Sequence, residues 1–547
     1  MRGIIIIAGS LTVFLVGGFA LEQSGRFSSV KQALRRPSVP TAMLNYGPMG
    51  KILKDRGLIK AVPNGDAQFP ASVEGEVDRN ANIFQKKRQV GPYRFQANPG
   101  GMASMPSSMV ISEEDFRTGW PLLSVVIDNE ELYGEKGLLH PKNRWERGKQ
   151  WERLAYVSYY EEGELLFTTG VGMRLHGHQG AGKKRKTCFR LYFRDDYGAD
   201  RFRPGVLFGP ETEPVKKLVV RKDLPRFNTP LTFDIAQQVK AIVPGYKPVL
   251  FYLNGRYMGL YTLTEHLSIR QWRTRFGHDN FMFYRPKGKS DEPSRKSRHN
   301  LIQWFLKNQK EMTLQKAGTI IDVENWTRNL FTYDFCLTGD WDQGALVRDM
   351  SGAGAKWHWV NWDMDQSFIN PEENGFQKKL LKGTGVRTLF LGVLWNNDQE
   401  FRRYYRRKIM DILNHEITQE FLQARIDYYK EISRHLYHVE SNHAVLDEKM
   451  EYFRKRPRFL RRQYCREADT FLCTVNGPAG IEYEIDGYRE KASYQGWYFK
   501  GMPIHIKIIS KEKERFSHWR INGHRYTMRQ LVYPITSKTI IEPILAR

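Results

Sequence analysis

The spacing of hydrophobic positions changes twice along this chain. From about residue 113, β-branched and aromatic runs bounded by Gly, Asn and Asp predict strands, among them LLSVVID, KTCFRLYF and PVLFYLNG. After residue 300, apolar residues recur every three or four positions, as in VENWTRNLFTYDFCL, which predicts helices. Residues 471–547 return to short strands separated by Asn-Gly and Asp-Gly turns. Strands followed by helices predict an α+β fold.

This pattern predicts four regions. Residues 113–470 form the main α+β body, with a strand-rich first half and a helix-rich second half. Residues 471–547 form a separate, small antiparallel β domain. Residues 22–112 lack periodicity and are rich in Pro, Gly, Ser and Asn, which predicts an extended linker with one short helix near Met49–Leu58.

The first 21 residues predict export. Arg2 precedes the uncharged stretch Ile4–Leu21, which is longer than the usual apolar region of a cleaved signal and shorter than a full membrane span. We interpret residues 1–21 as a signal peptide, either cleaved after the small residues near Ala20 or kept as an N-terminal membrane anchor. Either outcome gives a periplasmic, cell-envelope or extracellular protein. A buried core helix is the alternative.

Charge narrows the range of partners. The 547 residues include 85 Lys and Arg against 60 Asp and Glu, a net charge of +25. A basic balance suits phosphorylated compounds, nucleic acid, anionic lipid or anionic glycan, although a generally basic surface would give the same count. Nucleic acid is disfavoured because no nucleic-acid-binding motif accompanies the charge. The basic run RKRPRFLRRQYCR indicates either a solvated helix face or contact with an acidic partner.

The four cysteines exclude two classes of site. None forms a Cys-x-x-Cys pair, so a zinc site is disfavoured, and four are too few for a disulfide framework. Cys188 and Cys336 are predicted to be buried thiols. Cys465 and Cys473 are eight residues apart and could be bridged in an oxidising compartment.

Residues 331–370 contain the densest candidate chemistry. Asp340 and Asp342 precede the run LVRD, the turn SGAGA and the alternating run KWHWVNW, and Asp363 and Asp365 follow them. This order predicts a hairpin that brings both acidic pairs together. Converging carboxylates need a cation, and hard oxygen ligands suit Mg²⁺ or Ca²⁺. The alternative is that these side chains cap turns and pair with Lys or Arg.

A basic, Gly-rich loop lies between two predicted strands. In VGMRLHGHQGAGKKRKTCFRLYF, backbone amides and cations of HQGAGKKRK could hold phosphate groups. The loop lacks the Gly-Lys-Ser/Thr ending of a P-loop, so a basic hairpin tip is the alternative. His176 and His178 are predicted to make hydrogen bonds at a strand end, not to bind metal.

Five motifs in order resemble the CotH kinase family, secreted atypical protein kinases associated with the spore coat. They are, from the N-terminal side, GVGMRLHGH, KTCFRLYFRDDYG, VLFYLNGRYMGLYTLTEHL, TGDWD and VNWDMDQSF. The resemblance covers roughly residues 113–470. It implies a two-lobed atypical protein-kinase-like core that uses ATP with Mg²⁺ or Mn²⁺. Residues 471–547 also resemble small bacterial surface β-repeats, which implies a docking or spacer role.

The resemblance implies a role for particular residues. Lys186 matches the lysine that contacts ATP phosphates, Arg174 lies in the preceding motif, and Glu265 matches the glutamate after the Asn-Gly hairpin. These three are the implied ATP-binding residues.

The acidic motifs imply the catalytic and metal-binding residues. Asp363 matches the metal-binding aspartate, Asp365 follows it, and Asp340 matches the acidic residue that orients or deprotonates the acceptor hydroxyl. The family usually has Asn four or five residues after the first Asp, where this chain has Gly344 and Ala345. Asp342 or Gln343 could replace it, and Asp342 is the predicted metal ligand.

Three functions follow from these observations. The first is an exported protein Ser/Thr kinase that transfers the γ-phosphoryl group of ATP to a secreted or envelope protein. The second is a non-catalytic envelope or matrix assembly protein that keeps a kinase-like fold. The third is an anionic-polymer-binding protein whose acidic cluster holds a structural cation. A hydrolase is disfavoured because no Ser/His or metal-His arrangement supports it.

Overall fold

A computed structural model describes residues 119–546, except 144, 178–186, 199–201, 203–204, 209–214, 223–225, 286–289, 340–342, 353, 381–385, 435–438, 465–468 and 512–514. The predicted signal, the linker with its short helix, Lys186, Asp340, Asp342 and Cys465 therefore lie outside the described residues. No helix within the described ranges is long and apolar enough to cross a membrane.

A closed barrel of seven strands forms the first part of the fold. The strand order is β1-β2-β3-β4-β5-β7-β6, and β1 closes the barrel by pairing in parallel with β6, while the other neighbours are antiparallel. One set of alternate side chains fills the interior, including Val125, Val157 and Phe251. The strands are Leu122–Ile127 (β1), Arg153–Glu161 (β2), Glu164–His176 (β3), Cys188–Tyr192 (β4), Lys217–Lys222 (β5), Tyr246–Leu253 (β6) and Arg256–Glu265 (β7).

The turn between β6 and β7 forms as its Asn-Gly sequence predicts. Asn254 and Gly255 both have positive φ angles, 49° and 71°, as a two-residue hairpin turn of this type requires. The Asn254 side chain also accepts a hydrogen bond from the backbone N–H of Ile127 and donates one to its carbonyl, both at 2.8 Å. The turn is thereby fixed to the end of β1, next to the seam that closes the barrel.

Most helices follow the barrel in the chain and share one large core. Helix α7 is buried on almost every side, begins at the cap Asp322, and ends where Leu337 adopts φ 47°. The helices are Asn129–Tyr133 (α1), Gly205–Phe208 (α2), Asn228–Gln238 (α3), Ile269–Phe276 (α4), Glu292–Lys307 (α5), Leu314–Gly318 (α6), Val323–Cys336 (α7), Val386–Asn397 (α8), Gln399–Asp411 (α9), Gln419–Ser433 (α10) and Val439–Tyr464 (α11). Short 3₁₀ or π turns occupy Pro141–Asn143, Lys149–Trp151, Gln309–Glu311, Phe376–Leu380 and Ile412–Glu416.

A three-stranded sheet lies in the chain between the barrel and the later helices. Its strands are Phe281–Tyr284 (β8), Ala345–Asp349 (β9) and His358–Val360 (β10), in the order β10-β9-β8. Its buried face forms a separate small core with Trp272 and Trp362.

The last strands form two sheets with a core of their own. One sheet has the order β14-β11-β19-β16-β17 and the other the order β13-β12-β15-β18. The strands are Thr470–Asn476 (β11), Glu482–Ile485 (β12), Tyr488–Lys491 (β13), Ser493–Phe499 (β14), Met502–Ile508 (β15), Phe516–Ile521 (β16), His524–Tyr526 (β17), Gln530–Ile535 (β18) and Thr539–Leu545 (β19).

Helices and several sheets together confirm the α+β prediction. Cys188 and Cys336 are free and buried, as predicted. Cys473 is a free, buried thiol as well. The proposed domain boundaries stay predictions.

Candidate functional site

The predicted hairpin in residues 331–370 is confirmed. Strands β9 and β10 are antiparallel, with Ala345 opposite Val360 and Val347 opposite His358. Beyond the hairpin, the backbone N–H of Gly339 donates to the Gln366 carbonyl at 2.7 Å, and that of Phe368 donates to the Cys336 carbonyl at 2.8 Å. The segment that leads to Asp340 therefore lies against the segment that carries Asp363 and Asp365.

Asp363 occupies an unusual backbone conformation. Its φ angle is 60°, in the left-handed region that a non-Gly residue rarely adopts. Its neighbours Trp362 and Met364 are buried in two different cores, whereas Asp363 and Asp365 are only partly buried. Strained backbone held in place by surrounding packing is common at functional sites. This conformation sets the Asp363 carboxylate apart from the two cores.

Arg221 on β5 pairs with both of these carboxylates. Its guanidinium forms a salt bridge with Asp363 and lies 3.8 Å from Asp365, and it also lies over the Trp362 ring, 5.4 Å from the centroid. Burial disfavours the charge of Arg221, but the two carboxylates outweigh burial and raise the pKa of Arg221. Asn228 at the start of α3 adds support by donating to the Asp365 carbonyl at 2.7 Å.

A basic group of Arg190 and Arg285, with His176 and His266 beside them, extends from this acidic pair. Arg190 Nη2 lies 2.7 Å from His176 Nδ1, and the His176 and His266 rings are 6.3 Å apart. Burial, together with Arg190, lowers the pKa of both histidines well below the usual value, so both are neutral. Burial and Arg190 also lower the pKa of Arg285, while Asp363 raises it. The basic group is therefore continuous with Asp363 through Arg285.

Arg174 belongs to the same basic surface. It lies opposite Arg190 across β3 and β4, and its guanidinium donates to the Gly148 carbonyl at 3.0 Å. The Tyr192 ring has four cations within 6.0 Å of its centroid: Arg174, Arg190, Arg194 and Lys217. So many cations on one face of the barrel favour an anionic ligand.

The other two predicted ATP-binding residues differ in their surroundings. Glu265 is buried at the end of β7, and its carboxylate accepts a hydrogen bond from the backbone N–H of Gly245 at 2.6 Å. Lys186 lies outside the described residues, in the loop that joins β3 to β4. That loop returns at Cys188, whose Sγ accepts a hydrogen bond from the backbone N–H of Lys222, next to Arg221. The loop therefore begins and ends beside the basic group.

Gly344 explains why the chain lacks the expected Asn after the first acidic pair. Its φ is 111°, and a Cβ there would meet the Val360 carbonyl oxygen far inside van der Waals contact and Trp359 Nε1 at 2.9 Å. Ala345 is fully buried in the sheet. Neither position can therefore hold an Asn side chain that reaches the acidic pair.

The donor set suits Mg²⁺ and a phosphorylated ligand. Asp363 and Asp365 supply hard carboxylate oxygens, and the basic group beside them suits phosphate oxygens. Among the described residues, no three His, Cys, Asp or Glu side chains come together, and Asp340 and Asp342 lie outside that set. The structure therefore describes two of the three predicted metal ligands, Asp363 and Asp365, and Asp342 lies outside the described residues.

Comparison with known protein families gives a match for the part of the chain that carries this site. The family described as CotH kinase protein matches residues 174–463, more than half of the chain. The chain belongs to the CotH kinase family. No curated protein matches the chain. The CotH match begins at Arg174 on β3 and ends within helix α11, so it includes the basic group, the acidic pair and the hairpin between β9 and β10.

Sequence reasoning missed the cations that face Asp363. The sequence assigns no site role to Arg221 or Arg285, and Arg190 occurs only within the motif KTCFRLYFRDDYG. One signal was present, since Arg221 ends the apolar run KLVVR of a strand that is buried in its middle. A charged residue in such a strand usually has a buried partner.

Proposed function

We propose that this CotH protein transfers the γ-phosphoryl group of ATP to a Ser or Thr hydroxyl of an exported envelope or extracellular protein. The observation that supports the proposal most is the acidic pair Asp363 and Asp365, held by Arg221 beside a basic group. Phosphoryl transfer needs carboxylates for Mg²⁺ and cations for phosphate oxygens, and both are present within one small region.

The proposal gives each side chain a task. Asp363 and Asp365 would hold Mg²⁺, which when bound neutralises charge on the β- and γ-phosphates. Arg190 and Arg285 would contact phosphate oxygens, because both are partly buried cations and Arg285 lies near Asp363. Arg221 would keep the two carboxylates ionised and in position. Asp340 would orient the acceptor hydroxyl, and Lys186 would contact the phosphates.

We also infer that the barrel and the helical region act as the two lobes of a kinase-like cleft. Arg221 belongs to the barrel and Asp363 to the segment after β10, so their salt bridge joins the two regions. A nucleotide bound between them would contact cations from one side and carboxylates from the other. This arrangement agrees with the predicted order of motifs along the chain.

Transfer of ³²P from [γ-³²P]ATP tests the proposal. The wild-type chain should label itself or an exported protein of its own cell in the presence of Mg²⁺ or Mn²⁺. Asp363→Ala and Lys186→Ala should each reduce labelling by at least 100-fold, since each removes a charge from the phosphate site. Asp349→Ala is the matched control, because Asp349 is a partly exposed aspartate at the far end of β9 whose described partners are Ser351 and His278.

Unchanged labelling in both Asp363→Ala and Lys186→Ala would refute the proposal. Loss of labelling in Asp349→Ala as well would show that the assay reports on folding. Circular dichroism of each variant separates these outcomes.

A non-catalytic protein that binds a nucleotide or anionic polymer is the second candidate. Gly344 favours it, because the Asn that the family usually has near this point cannot fit there. This candidate predicts that polyphosphate binds the cations around the Tyr192 ring, which include Arg174, without any ³²P transfer. Calorimetry with polyphosphate at moderate salt would measure heat in the wild type and less in Arg174→Gln. An absence of heat in the wild type would exclude it.

A further inference from the structure

A cavity lies between the helices and the C-terminal strands, away from the acidic pair. It has a volume of about 390 Å³ and includes none of the residues assigned to the acidic pair or the basic group. Its apolar walls are Leu413, Ile417, Pro457 and the ring of Trp497, and its charged walls are Arg454 and Arg461. The cavity belongs to no part of the proposed phosphoryl-transfer site.

The strand that carries the aromatic wall of this cavity is fixed by hydrogen bonds. Trp497 lies on β14, an edge strand of its sheet, and 37% of it is exposed. The Asn414 side chain accepts from the Trp497 backbone N–H and donates to its carbonyl, both at 2.9 Å. Two hydrogen bonds to one residue fix the strand against the turn Ile412–Glu416. The backbone that carries the Trp497 ring is therefore held in place before any ligand arrives, which lowers the entropic cost of binding.

Arg461 is a cation of the cavity wall that forms no salt bridge with any described carboxylate. Its guanidinium lies 5.2 Å from the centroid of the Trp497 ring, and no described carboxylate forms a salt bridge with it. Burial and the nearby Arg458 lower the pKa of Arg461 to about 10. Arg454, at the rim, is more than half exposed, with Glu451 at 3.7 Å. An anionic group entering the cavity would relieve the unbalanced charge at Arg461.

The remaining polar groups of the wall are already engaged. The Thr418 hydroxyl accepts a hydrogen bond from the Phe421 backbone N–H at 3.2 Å, and the Gln419 amide donates to the Phe453 carbonyl at 3.1 Å. A saccharide presents many hydroxyls, each of which needs both donors and acceptors. This wall offers apolar surface and guanidinium donors instead, which suits a carboxylate beside an apolar side chain.

We propose that this cavity binds an acidic peptide segment, with a Glu or Asp carboxylate on Arg461 and a neighbouring apolar side chain against Trp497 and Leu413. The basic character of the cavity supports an acidic partner, because the two charged residues in its wall, Arg454 and Arg461, are both cations of α11. The proposal is independent of phosphoryl transfer, since binding needs neither ATP nor Asp363.

Fluorescence polarisation with two short peptides tests this proposal on the full chain without nucleotide. One labelled probe is acetyl-Gly-Glu-Leu-Gly-amide and the other has Gln in place of Glu. The wild type should bind the Glu peptide at least tenfold more tightly. Arg461→Gln should remove that difference, and Arg461→Lys should keep part of it, because Lys retains charge without the planar fork. Trp497→Ala should weaken binding of both peptides.

Arg462→Gln is the matched control. It removes the same charge from the next residue of α11, is exposed and does not line the cavity, so binding should change less than twofold. Equal affinity for the two peptides, no binding of the Glu peptide, or unchanged binding in Arg461→Gln would each overturn the proposal. Oligogalacturonate that binds through Arg461 while the Glu peptide does not would also overturn it. If Arg461→Gln fails to fold, two other measurements still test the proposal. One is the comparison of the Glu and Gln peptides on the wild type, and the other is the same comparison on Arg454→Gln, which removes the other charge of the cavity wall.

Discussion

At the scale of single residues, Arg221 organises the candidate site. One guanidinium serves two carboxylates and also lies over Trp362. Arg221 and Asp363 are 142 positions apart in the chain, so no local pattern of hydrophobicity or charge could pair them. Sequence reasoning found Asp363 and Asp365 because they form a motif. It missed their partner because that pairing depends on the closed barrel.

Loss of Arg221 should destabilise the protein strongly. Arg221→Met leaves two partly buried carboxylates without their cation, and breaking a buried ion pair from one side costs about 3–5 kcal/mol. Urea denaturation would measure the change in the free energy of unfolding. Arg520→Met is the matched control, because Arg520 forms an exposed salt bridge with Glu542, and such a pair contributes about 0–1 kcal/mol. Equal losses in the two variants would contradict the role assigned to Arg221.

His176 should make stability depend on pH. Its pKa in the folded protein is depressed, mainly by burial, so the unfolded chain binds a proton that the folded chain does not. Stability is fully present above the unfolded pKa of about 6.5 and is lost as the pH falls below it toward the folded pKa. His176→Gln should therefore reduce the slope of unfolding free energy against pH by up to about 1.4 kcal/mol per pH unit between pH 6 and 5. Equal slopes in the wild type and in His176→Gln would show that the pKa of His176 is the same in the folded and the unfolded protein.

At the scale of elements, the hairpin between β9 and β10 was predictable and its details were not. The turn SGAGA and the alternating run after it predicted both strands, and the structure confirms them. The same holds for the Asn-Gly turn after β6, which relies on local backbone preference. The close approach of Gly344 to Val360 could not be inferred, because it depends on how Trp359 packs. Glu265 shows the same limit, since its hydrogen bond to Gly245 depends on the course of the chain before β6.

Gly344 should tolerate no side chain. Gly344→Asn places a Cβ against Val360 and Trp359 at a positive φ angle, so we expect a loss of about 2 kcal/mol or more. Gly354→Asn is the control, because Gly354 has φ 74° with no atom within 4 Å of its Cβ position, and Asn tolerates that conformation. Thermal unfolding of both variants measures the difference. A stable Gly344→Asn protein with raised ³²P transfer would contradict this account of the missing Asn.

At the scale of the whole molecule, charged groups join the C-terminal strands to the helices. Glu416, buried at the end of the turn Ile412–Glu416, accepts from Arg328 of α7 at 2.8 Å and from the Tyr488 hydroxyl at 2.5 Å. Arg407 also donates to Asp486 at 2.8 Å. Helix α7 ends just before the segment of Asp340, so these contacts connect the C-terminal strands to the element that positions the candidate site. The sequence pattern predicts separate strands in this region, but it does not predict their contacts with the helices.

The contact between Tyr488 and Glu416 should be energetically coupled. Tyr488→Phe removes a hydrogen bond to a buried carboxylate, which costs about 1.5–3 kcal/mol, and a double-mutant cycle with Glu416→Gln should give a coupling of at least about 0.5 kcal/mol. Tyr483→Phe is the matched control, since the buried Tyr483 hydroxyl has no hydrogen-bond partner among the described residues. Its removal should cost little. Additive effects of Tyr488→Phe and Glu416→Gln would show that the two groups act independently.

The central claim is that Asp363 and Asp365 hold the divalent cation of a bound nucleotide. Electron paramagnetic resonance of Mn²⁺ with a non-hydrolysable ATP analogue tests this claim directly, because it measures bound cation without requiring catalysis. The account predicts a ternary complex in the wild type and in Asp349→Asn, and at least tenfold weaker Mn²⁺ binding in Asp363→Asn. Equal Mn²⁺ and nucleotide binding in the wild type and Asp363→Asn would contradict it.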